Sequence, residues 1–246
     1  MKASIWMGAG AMLLAGTAQG AAVNLSTWTN EGGGNWSLAA DNNSVRQTLN
    51  GPPTVFYSDF NGQGIALSGE ITVQTGSDDD YIGFVLGFSP GDVSAAATDF
   101  ILVDWKQGTQ PFFGCTAQAG LAVSRVTGGL PDNAATWCHN SPSVTELARG
   151  SNLGSVGWAD NTTYAFDLLF TAAQIQVFVD GVLELDITGT FNDGRFGFYN
   201  YSQSTVLYSA IEEEVVPPGP NPSVPEPATL VLLGAGIACY RLTRRS

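Results

Sequence analysis

The chain has 246 residues, of which 44% are hydrophobic, and its 9 basic and 22 acidic residues give a net charge of −13. A chain this acidic is repelled by phosphate backbones and anionic lipid headgroups, so we expect no nucleic-acid partner and no binding to membrane surfaces through charge. Divalent cations and neutral glycans remain compatible with this charge.

The N-terminus has the order of a secretory signal. Lys2 precedes an apolar stretch over residues 5–15, and small residues follow up to Ala22. This order predicts a signal peptide over residues 1–22, removed by signal peptidase near Gly20 or Ala22. Between both terminal signals, residues 21–224 contain 5 basic and 21 acidic residues, a net charge of −16.

The middle of the chain predicts an all-β fold. Long segments with helical apolar spacing are missing, whereas short apolar runs punctuated by Gly, Asn and Asp recur. Residues 81–88 and 100–105 are apolar on both faces, which is typical of central strands. Asp180-Gly181 between two apolar runs predicts a hairpin, because this dipeptide suits the positive φ angles of a type I′ turn. We predict about a dozen antiparallel strands in two packed sheets, forming one domain over residues 23–211.

Two of the three cysteines predict a disulfide. Cys239 lies in the C-terminal tail, which is expected to be removed. This leaves Cys115 and Cys138 as an even pair in an exported protein. Two alternatives stay open. A metal site of these cysteines with His139 lacks a fourth ligand, and a catalytic thiol would have to pair with that same histidine, which directly follows Cys138.

Four ordered motifs resemble those of the thrombospondin C-terminal domain. They are S-D-D-D-Y-I-G-F-V-L-G-F at residues 77–88, W-K-Q-G-T-Q at 105–110, V-G-W-A-D at 156–160, and G-R-F-G-F at 194–198 with Ser202-Gln203. The resemblance spans about residues 35 to 211. It implies a concanavalin-like (L-type lectin-like) jelly roll that binds calcium. The EGF-like modules and Asp repeats of animal thrombospondins are not recognised in this sequence, so their adhesion activities are not implied. Residues 114–149 diverge from the family.

Asp78, Asp79 and Asp80 are the predicted calcium ligands. They directly precede an apolar strand, and calcium requires six to eight oxygen ligands. Backbone carbonyls and Asp59, which matches an acidic residue of the family, are expected to complete the set. An EF-hand loop is excluded by the spacing. The alternative is a solvated acidic turn without an ion.

Catalysis is not expected. Glu184 and Asp186 match the first two positions of the E-x-D-x-x-E strand of laminarinase-type glycosidases, which share the jelly-roll fold, but Gly189 replaces the third carboxylate. A G-x-S-x-G nucleophile elbow is also missing. A glycoside hydrolase or lyase on the same fold remains the alternative. Trp137, in the divergent segment, is predicted to be exposed and to stack on a sugar ring.

The C-terminal residues resemble a sorting signal. Residues 212–223 contain three glutamates and four prolines, which predicts an extended linker. Residues 224–246 then combine V-P-E-P, an apolar run and a basic end, the order of the PEP-CTERM signal of Gram-negative bacteria. The residues of this signal are Pro225, Glu226, Pro227, Arg241, Arg244 and Arg245.

The apolar run of this signal, residues 228–240, is shorter than the roughly 20 residues of a stable membrane span, so it predicts a short membrane helix that anchors the chain temporarily. The arginines are expected to stay on the cytoplasmic side of the inner membrane. The resemblance implies cleavage by an exosortase and delivery to the cell surface.

These features together predict an exported, non-enzymatic, calcium-binding lectin-like module. We expect it at the cell surface or in the exopolysaccharide or biofilm matrix, where it would serve adhesion or bind a glycan. A purely structural surface protein without a small ligand is the second alternative.

Overall fold

The computed structural model describes residues 20–215, and every structural statement below concerns these residues. The expected apolar part of the signal peptide and the sorting signal, with Pro225, Glu226, Pro227, Arg241, Arg244 and Arg245, lie outside them. Within the described part of the chain, no helix is both long enough and apolar enough to cross a membrane.

The described residues form eighteen strands and one short α-helix. In chain order these are β1 (Ala21–Ala22), β2 (Thr29–Gly32), β3 (Trp36–Leu38), β4 (Val45–Gln47), β5 (Thr54–Asn61), β6 (Ile65–Val73), β7 (Tyr81–Phe88), β8 (Phe100–Lys106), β9 (Gln110–Phe112), β10 (Cys115–Ala117), β11 (Gly120–Val126), α1 (Ala134–Cys138), β12 (Asn140–Ser141), β13 (Val144–Arg149), β14 (Thr163–Phe170), β15 (Gln174–Val179), β16 (Val182–Thr188), β17 (Arg195–Tyr201) and β18 (Val206–Val215).

Two large antiparallel sheets contain most of these strands. The first sheet has the order β16-β15-β14-β6-β18-β4-β3, with β1 paired to the distal part of β18. The second sheet has the order β12-β13-β11-β8-β7-β17-β5-β2, and β9 and β10 form a separate hairpin. This is the antiparallel jelly-roll architecture that the sequence predicts.

The main core lies between the two sheets. Alternate residues of each strand point into it, as the two-residue repeat of a strand requires. Strands β7 and β8 lie at the centre of the second sheet, and all of their residues are buried, which confirms the prediction made from their two apolar faces. The predicted hairpin is also present, as β15 and β16 joined at Asp180 and Gly181, whose φ angles are 50° and 74°.

A second, smaller core covers the opposite face of the second sheet. Tyr81 and Tyr199 lie on this face, and Ala117, Leu130 and Trp137 from the segment between β8 and β13 pack on it. The divergent part of the sequence therefore folds as a cover over one face of the second sheet. It brings the hairpin β9–β10 and helix α1 close to the start of β7 and the end of β8.

The strands extend past both predicted boundaries of the domain. Ala21 and Ala22 pair with Glu213 and Glu212, so the last residues of the expected signal peptide belong to the fold. The prediction of a linker from residue 212 is wrong for its first four residues, because β18 continues to Val215 and pairs with β6. All three glutamates pair with β6, and Glu212 and Glu213 also pair with β1, so ladder hydrogen bonds outweigh their charge.

Candidate functional site

Three of the four sequence motifs, together with Ser202-Gln203 of the fourth, meet at one corner of the second sheet, whereas G-R-F-G-F lies toward its other end, where Arg195 pairs with Phe88. Strands β7 and β8 pair so that Tyr81 lies opposite Lys106. This register places Asp78, Asp79 and Asp80, just before β7, next to the end of β8. Trp158 Nε1 donates a hydrogen bond to the carbonyl of Asp80 over 3.0 Å, and the backbone N–H of Asp80 donates to Gln203 Oε1 over 3.0 Å. We call Asp78, Asp79, Asp80 and Lys106 the acidic corner.

Lys106 and Asp80 form a buried ion pair within the acidic corner. Their Nζ and Oδ1 atoms are 2.5 Å apart, and the two side chains are 0% and 5% exposed. The ammonium also donates to Gln110 Oε1 over 3.1 Å and lies 4.6 Å from the centre of the Trp137 ring. A buried charge requires such pairing, since an isolated one is very costly. One of the three carboxylates is thereby neutralised.

Asp78 and Asp79 form the outer part of the acidic corner. Each aspartate of the triplet has one carboxylate oxygen within 4.8 Å of those of the other two. The Asp79 side chain is 41% exposed. Asp78 accepts a hydrogen bond from the Asn50 side-chain amide. Burial raises the pKa of Asp78 to about 6, and the adjacent Asp80 carboxylate adds to the rise. Three carboxylates and one ammonium leave two negative charges, the number that one divalent cation neutralises.

Gly108 packs closely against the Asp79 side chain. A Cβ atom at position 108 would lie 2.2 Å from Asp79 Oδ2. The backbone N–H groups of Gln107 and Gly108 both donate to the carbonyl of Asp79, each over 3.2 Å. The segment after β8 therefore holds the triplet through its backbone and leaves the outer carboxylate oxygens to solvent or an ion.

Asp59 does not belong to the acidic corner, so this part of the predicted ligand set is wrong. In the second sheet, Asn200 pairs with Thr54 on one side and Ile82 on the other, so the start of β5 lies level with the start of β7. Asp59 follows Thr54 by five residues, which is about 16 Å along a strand. It is exposed near the opposite end of the sheet.

Trp137 is not the exposed platform that the sequence predicts. It is 2% exposed. Its ring packs edge-on against Tyr81 and Tyr201, with centroids 5.5 and 5.3 Å away, and Phe112 covers it from outside. The short helix α1 turns this tryptophan inward, toward Lys106, so its role is to pack the second core.

Glu184 and Asp186 are both engaged in structural hydrogen bonds. Glu184 is buried and accepts from the backbone N–H groups of Asn152 and Leu153, over 2.8 and 2.9 Å. Asp186 is on the exposed face and accepts from the side chain of Gln174. A structural bulge in β16 separates their directions. The two carboxylates do not form a facing catalytic pair.

The structure contains the predicted disulfide. Cys115 and Cys138 are joined across a sequence separation of 23 residues. The bond connects β10 to the end of α1, and so it fastens the hairpin β9–β10 to the helix that supplies Trp137.

A buried acid–histidine pair was not found by sequence reasoning. His139 Nε2 lies 3.1 Å from Asp104 Oδ2, at the distance of an ion pair but without the angle of a hydrogen bond. Burial lowers the pKa of His139, but the Asp104 carboxylate outweighs that effect and the net shift is upward. The sequence signal for this pair is the alternation of side-chain directions along β8, which puts Asp104 on the same face as Lys106.

Comparison with protein families supports the resemblance seen in the motifs. The family profile described as "Thrombospondin C-terminal region" matches residues 32–216. A second profile, described as "PEP-CTERM protein-sorting motif", matches residues 223–246.

Curated relatives share the same region at modest identity. Thrombospondin-3b of Danio rerio is 29% identical over 195 residues, which cover 71% of this chain and 20% of that protein. Thrombospondin-3 of Homo sapiens is 28% identical over 212 residues, which cover 78% of this chain and 21% of that protein. The chain thus spans about a fifth of the length of these relatives.

Solved structures with the same fold include carbohydrate-binding domains. The carbohydrate binding module CBM66 from Bacillus subtilis superposes with a TM-score of 0.57 at 12% identity, covering 78% of this chain and 97% of that one. The metal-free carbohydrate recognition domain of Emp46p gives a TM-score of 0.50 at 9% identity, covering 79% and 90%. At these identities the likeness establishes the lectin-like jelly-roll fold.

Proposed function

Because the chain belongs to the thrombospondin C-terminal region family and carries a PEP-CTERM sorting motif, we propose that it is an exported, non-enzymatic module. In this proposal, the module binds calcium at the acidic corner. It also binds a glycan of the cell surface or exopolysaccharide matrix. The observation that carries this proposal is that Lys106, Trp158 and Gln203, each from a different family motif, contact the triplet Asp78, Asp79 and Asp80.

The arrangement of the acidic corner favours a calcium site over a solvated acidic turn without an ion. Asp78 and Asp79 would hold the ion, with neighbouring carbonyl groups supplying further oxygens, since calcium accepts carboxylates and carbonyls in flexible arrangements. Lys106 already pairs with Asp80, so the ion would neutralise the two charges that remain. Without a cation, burial and the adjacent Asp80 carboxylate both raise the pKa of Asp78, so the charged form of this group is costly at the acidic corner.

Calcium is expected to stabilise the protein against thermal unfolding. At free calcium a hundred times the dissociation constant, the gain is about 2.7 kcal/mol, or roughly 5–10 °C in the midpoint for a domain of this size. Magnesium should stabilise less, because its smaller octahedral shell suits this set of ligands poorly. Thermal unfolding of the exported protein in EDTA, magnesium and calcium measures both effects.

Two substitutions and one matched control sharpen this experiment. Asp78→Asn and Asp79→Asn should each remove most of the calcium response, whereas Asp59→Asn should keep it, because Asp59 lies about 16 Å away along β5. A wild-type midpoint that is indifferent to calcium would leave the triplet as a solvated acidic turn.

The calcium response should depend on pH through Asp78. The pKa of this group is about 6 in the folded protein, against an ordinary value of 3.8. Its contribution to the stability of calcium-free protein is therefore greatest below about pH 4 and is lost as the pH rises through about 6. Calcium must displace the proton, so its apparent affinity should fall below about pH 6.

Glycan binding is supported by the fold and by the charge of the domain. The solved structures described above include a carbohydrate binding module and a carbohydrate recognition domain. On a glycan array, the exported protein is expected to bind at least one glycan in calcium and less of it in EDTA. A protein that binds no glycan in either condition would be a calcium-stabilised surface protein without this ligand.

We propose that the chain is processed at both ends. We place the mature N-terminus at or before Ala21, because β1 pairs with β18 and would be lost by cleavage after Ala22. We place the C-terminal cut near Pro225, Glu226 and Pro227, made by an exosortase after temporary anchoring in the inner membrane. Intact-mass analysis of surface protein from the native host is expected to show both cuts. Retention of Cys239 and of the arginines that follow it would contradict exosortase cleavage.

A further inference from the structure

Two exposed phenylalanines occupy the tip of the hairpin β9–β10. Phe112 is 53% and Phe113 is 39% exposed. Their ring centres are 4.2 Å apart, and the Phe112 ring lies 5.4 Å from that of the buried Trp137. The two side chains thus form a continuous aromatic surface with a packed base.

The backbone conformation at this tip is unfavourable for a phenylalanine. Strands β9 and β10 are joined by a two-residue turn in which Phe113 and Gly114 have φ angles of 51° and 79°. Turns with two positive φ angles prefer Asn-Gly or Asp-Gly, and the chain uses Asp180-Gly181 for the equivalent turn between β15 and β16. A bulky residue with positive φ is an outlier. An exposed phenylalanine kept in this conformation indicates a function other than stabilising the turn.

The tip is held rigidly. Cys115 directly follows the turn and is bonded to Cys138 at the end of α1. Helix α1 also contains Trp137, whose carbonyl accepts a hydrogen bond from the Tyr81 hydroxyl. The aromatic surface is therefore preorganised on the second sheet, which lowers the entropic cost of binding a ligand.

The exposed area of the two rings and the net charge of the domain favour one kind of ligand. Two half-exposed phenyl rings present roughly 150–200 Å² of apolar surface, whereas a stable protein interface needs about 800 Å² from each partner. One sugar ring matches the smaller area. The net charge of −16 over residues 21–224 disfavours acidic polymers.

We propose that Phe112 and Phe113 form a platform that stacks on the apolar face of a neutral hexose unit in a glycan chain. This inference rests on the glycan-binding function proposed above and assigns its contact surface. The platform lies in the part of the sequence that diverges from the family, and it replaces Trp137 as the aromatic surface available to a ligand.

The test compares Phe112→Ala and Phe113→Asn in the full chain. Calorimetry measures binding to cellohexaose, maltohexaose and mannohexaose, and thermal unfolding is recorded for each variant. Loss of either ring is expected to weaken binding to the recognised oligosaccharide by about tenfold. Phe113→Asn is also expected to raise the unfolding midpoint by about 2–4 °C, because asparagine accepts the positive φ angle. Val182→Ala, an exposed apolar residue next to the turn at Asp180-Gly181, is the matched control and should bind as the wild type does.

Higher stability together with lost binding in Phe113→Asn would show that the Phe113 ring binds the glycan and does not merely pack the turn. Unchanged binding in both phenylalanine variants would overturn the platform and leave the glycan-binding function intact. A lower midpoint in Phe113→Asn with unchanged binding would likewise assign the ring to packing. If the wild type binds none of the three oligosaccharides, the neutral-hexose assignment is overturned, and binding elsewhere on a glycan array then decides the proposed function separately.

Discussion

Replacing Lys106 with methionine is expected to destabilise the protein by about 3–5 kcal/mol. Methionine fills a similar volume but leaves the buried Asp80 carboxylate without its ammonium partner, which lies 2.5 Å away in the wild type. It also removes the donor to Gln110 and to the Asp79 carbonyl. Urea denaturation of the wild type and the variant at neutral pH and equal calcium measures the difference in the free energy of unfolding.

The cause of this loss can be isolated with two further variants. Adding Asp80→Asn to Lys106→Met should recover a large part of the stability, because the pair is then replaced by neutral groups. Arg125→Met is the matched control, since Arg125 pairs with Asp99 at a partly exposed position and should cost about 1 kcal/mol or less. If Lys106→Met costs no more than Arg125→Met, the ion pair in the acidic corner does not stabilise the fold.

Removing the disulfide through the double substitution Cys115→Ser and Cys138→Ser is expected to cost about 3 kcal/mol. The bond closes a loop of 23 residues, and the chain-entropy argument gives this magnitude for a loop of that length. The free energy of unfolding of the double variant and of the wild type, both purified from the periplasm, provides the measurement.

Cys239→Ser, compared in the chain before its C-terminal cleavage, is the matched control for this experiment, because Cys239 takes no part in the bond. It should leave the denaturation midpoint unchanged. Peptide mapping without reductant should show one linked pair in the wild type. Two freely alkylated thiols at positions 115 and 138, or a double variant as stable as the wild type, would contradict the expected contribution.

The strands at the centre of the second sheet could be predicted because their local pattern agrees with their environment. Every residue of β7 and β8 is buried, and both segments are apolar on both faces in the sequence. The turn at Asp180-Gly181 was predictable for a different reason, since its dipeptide carries its own backbone preference. The turn at Phe113-Gly114 was not, because phenylalanine does not signal a positive φ angle.

The candidate site could be predicted only where its residues are contiguous. Asp78, Asp79 and Asp80 lie together along the chain, and the structure keeps their carboxylates together. The family position of Asp59 predicts it in the same site, but strand register decides which residues of β5 lie level with the start of β7. Register is a property of the assembled sheet and has no local sequence signal here.

The burial of Trp137 illustrates the same limit. Its segment diverges from the family and contains no long apolar run, so no sequence pattern predicts a second core on the outer face of the sheet. The disulfide to Cys115 and the contacts with Tyr81 and Tyr201 turn the residue inward.

The family, the two-sheet fold, the C-terminal sorting motif, the cysteine pair and the acidic triplet could be predicted from the sequence alone, because each depends on a local pattern or an ordered motif. Only the tertiary structure decided that Lys106 neutralises Asp80, that Asp59 lies at the other end of the sheet, and that Phe112 and Phe113 are the exposed aromatic residues. These facts depend on contacts between segments far apart in the chain, and side-chain exposure is fixed only when those segments pack.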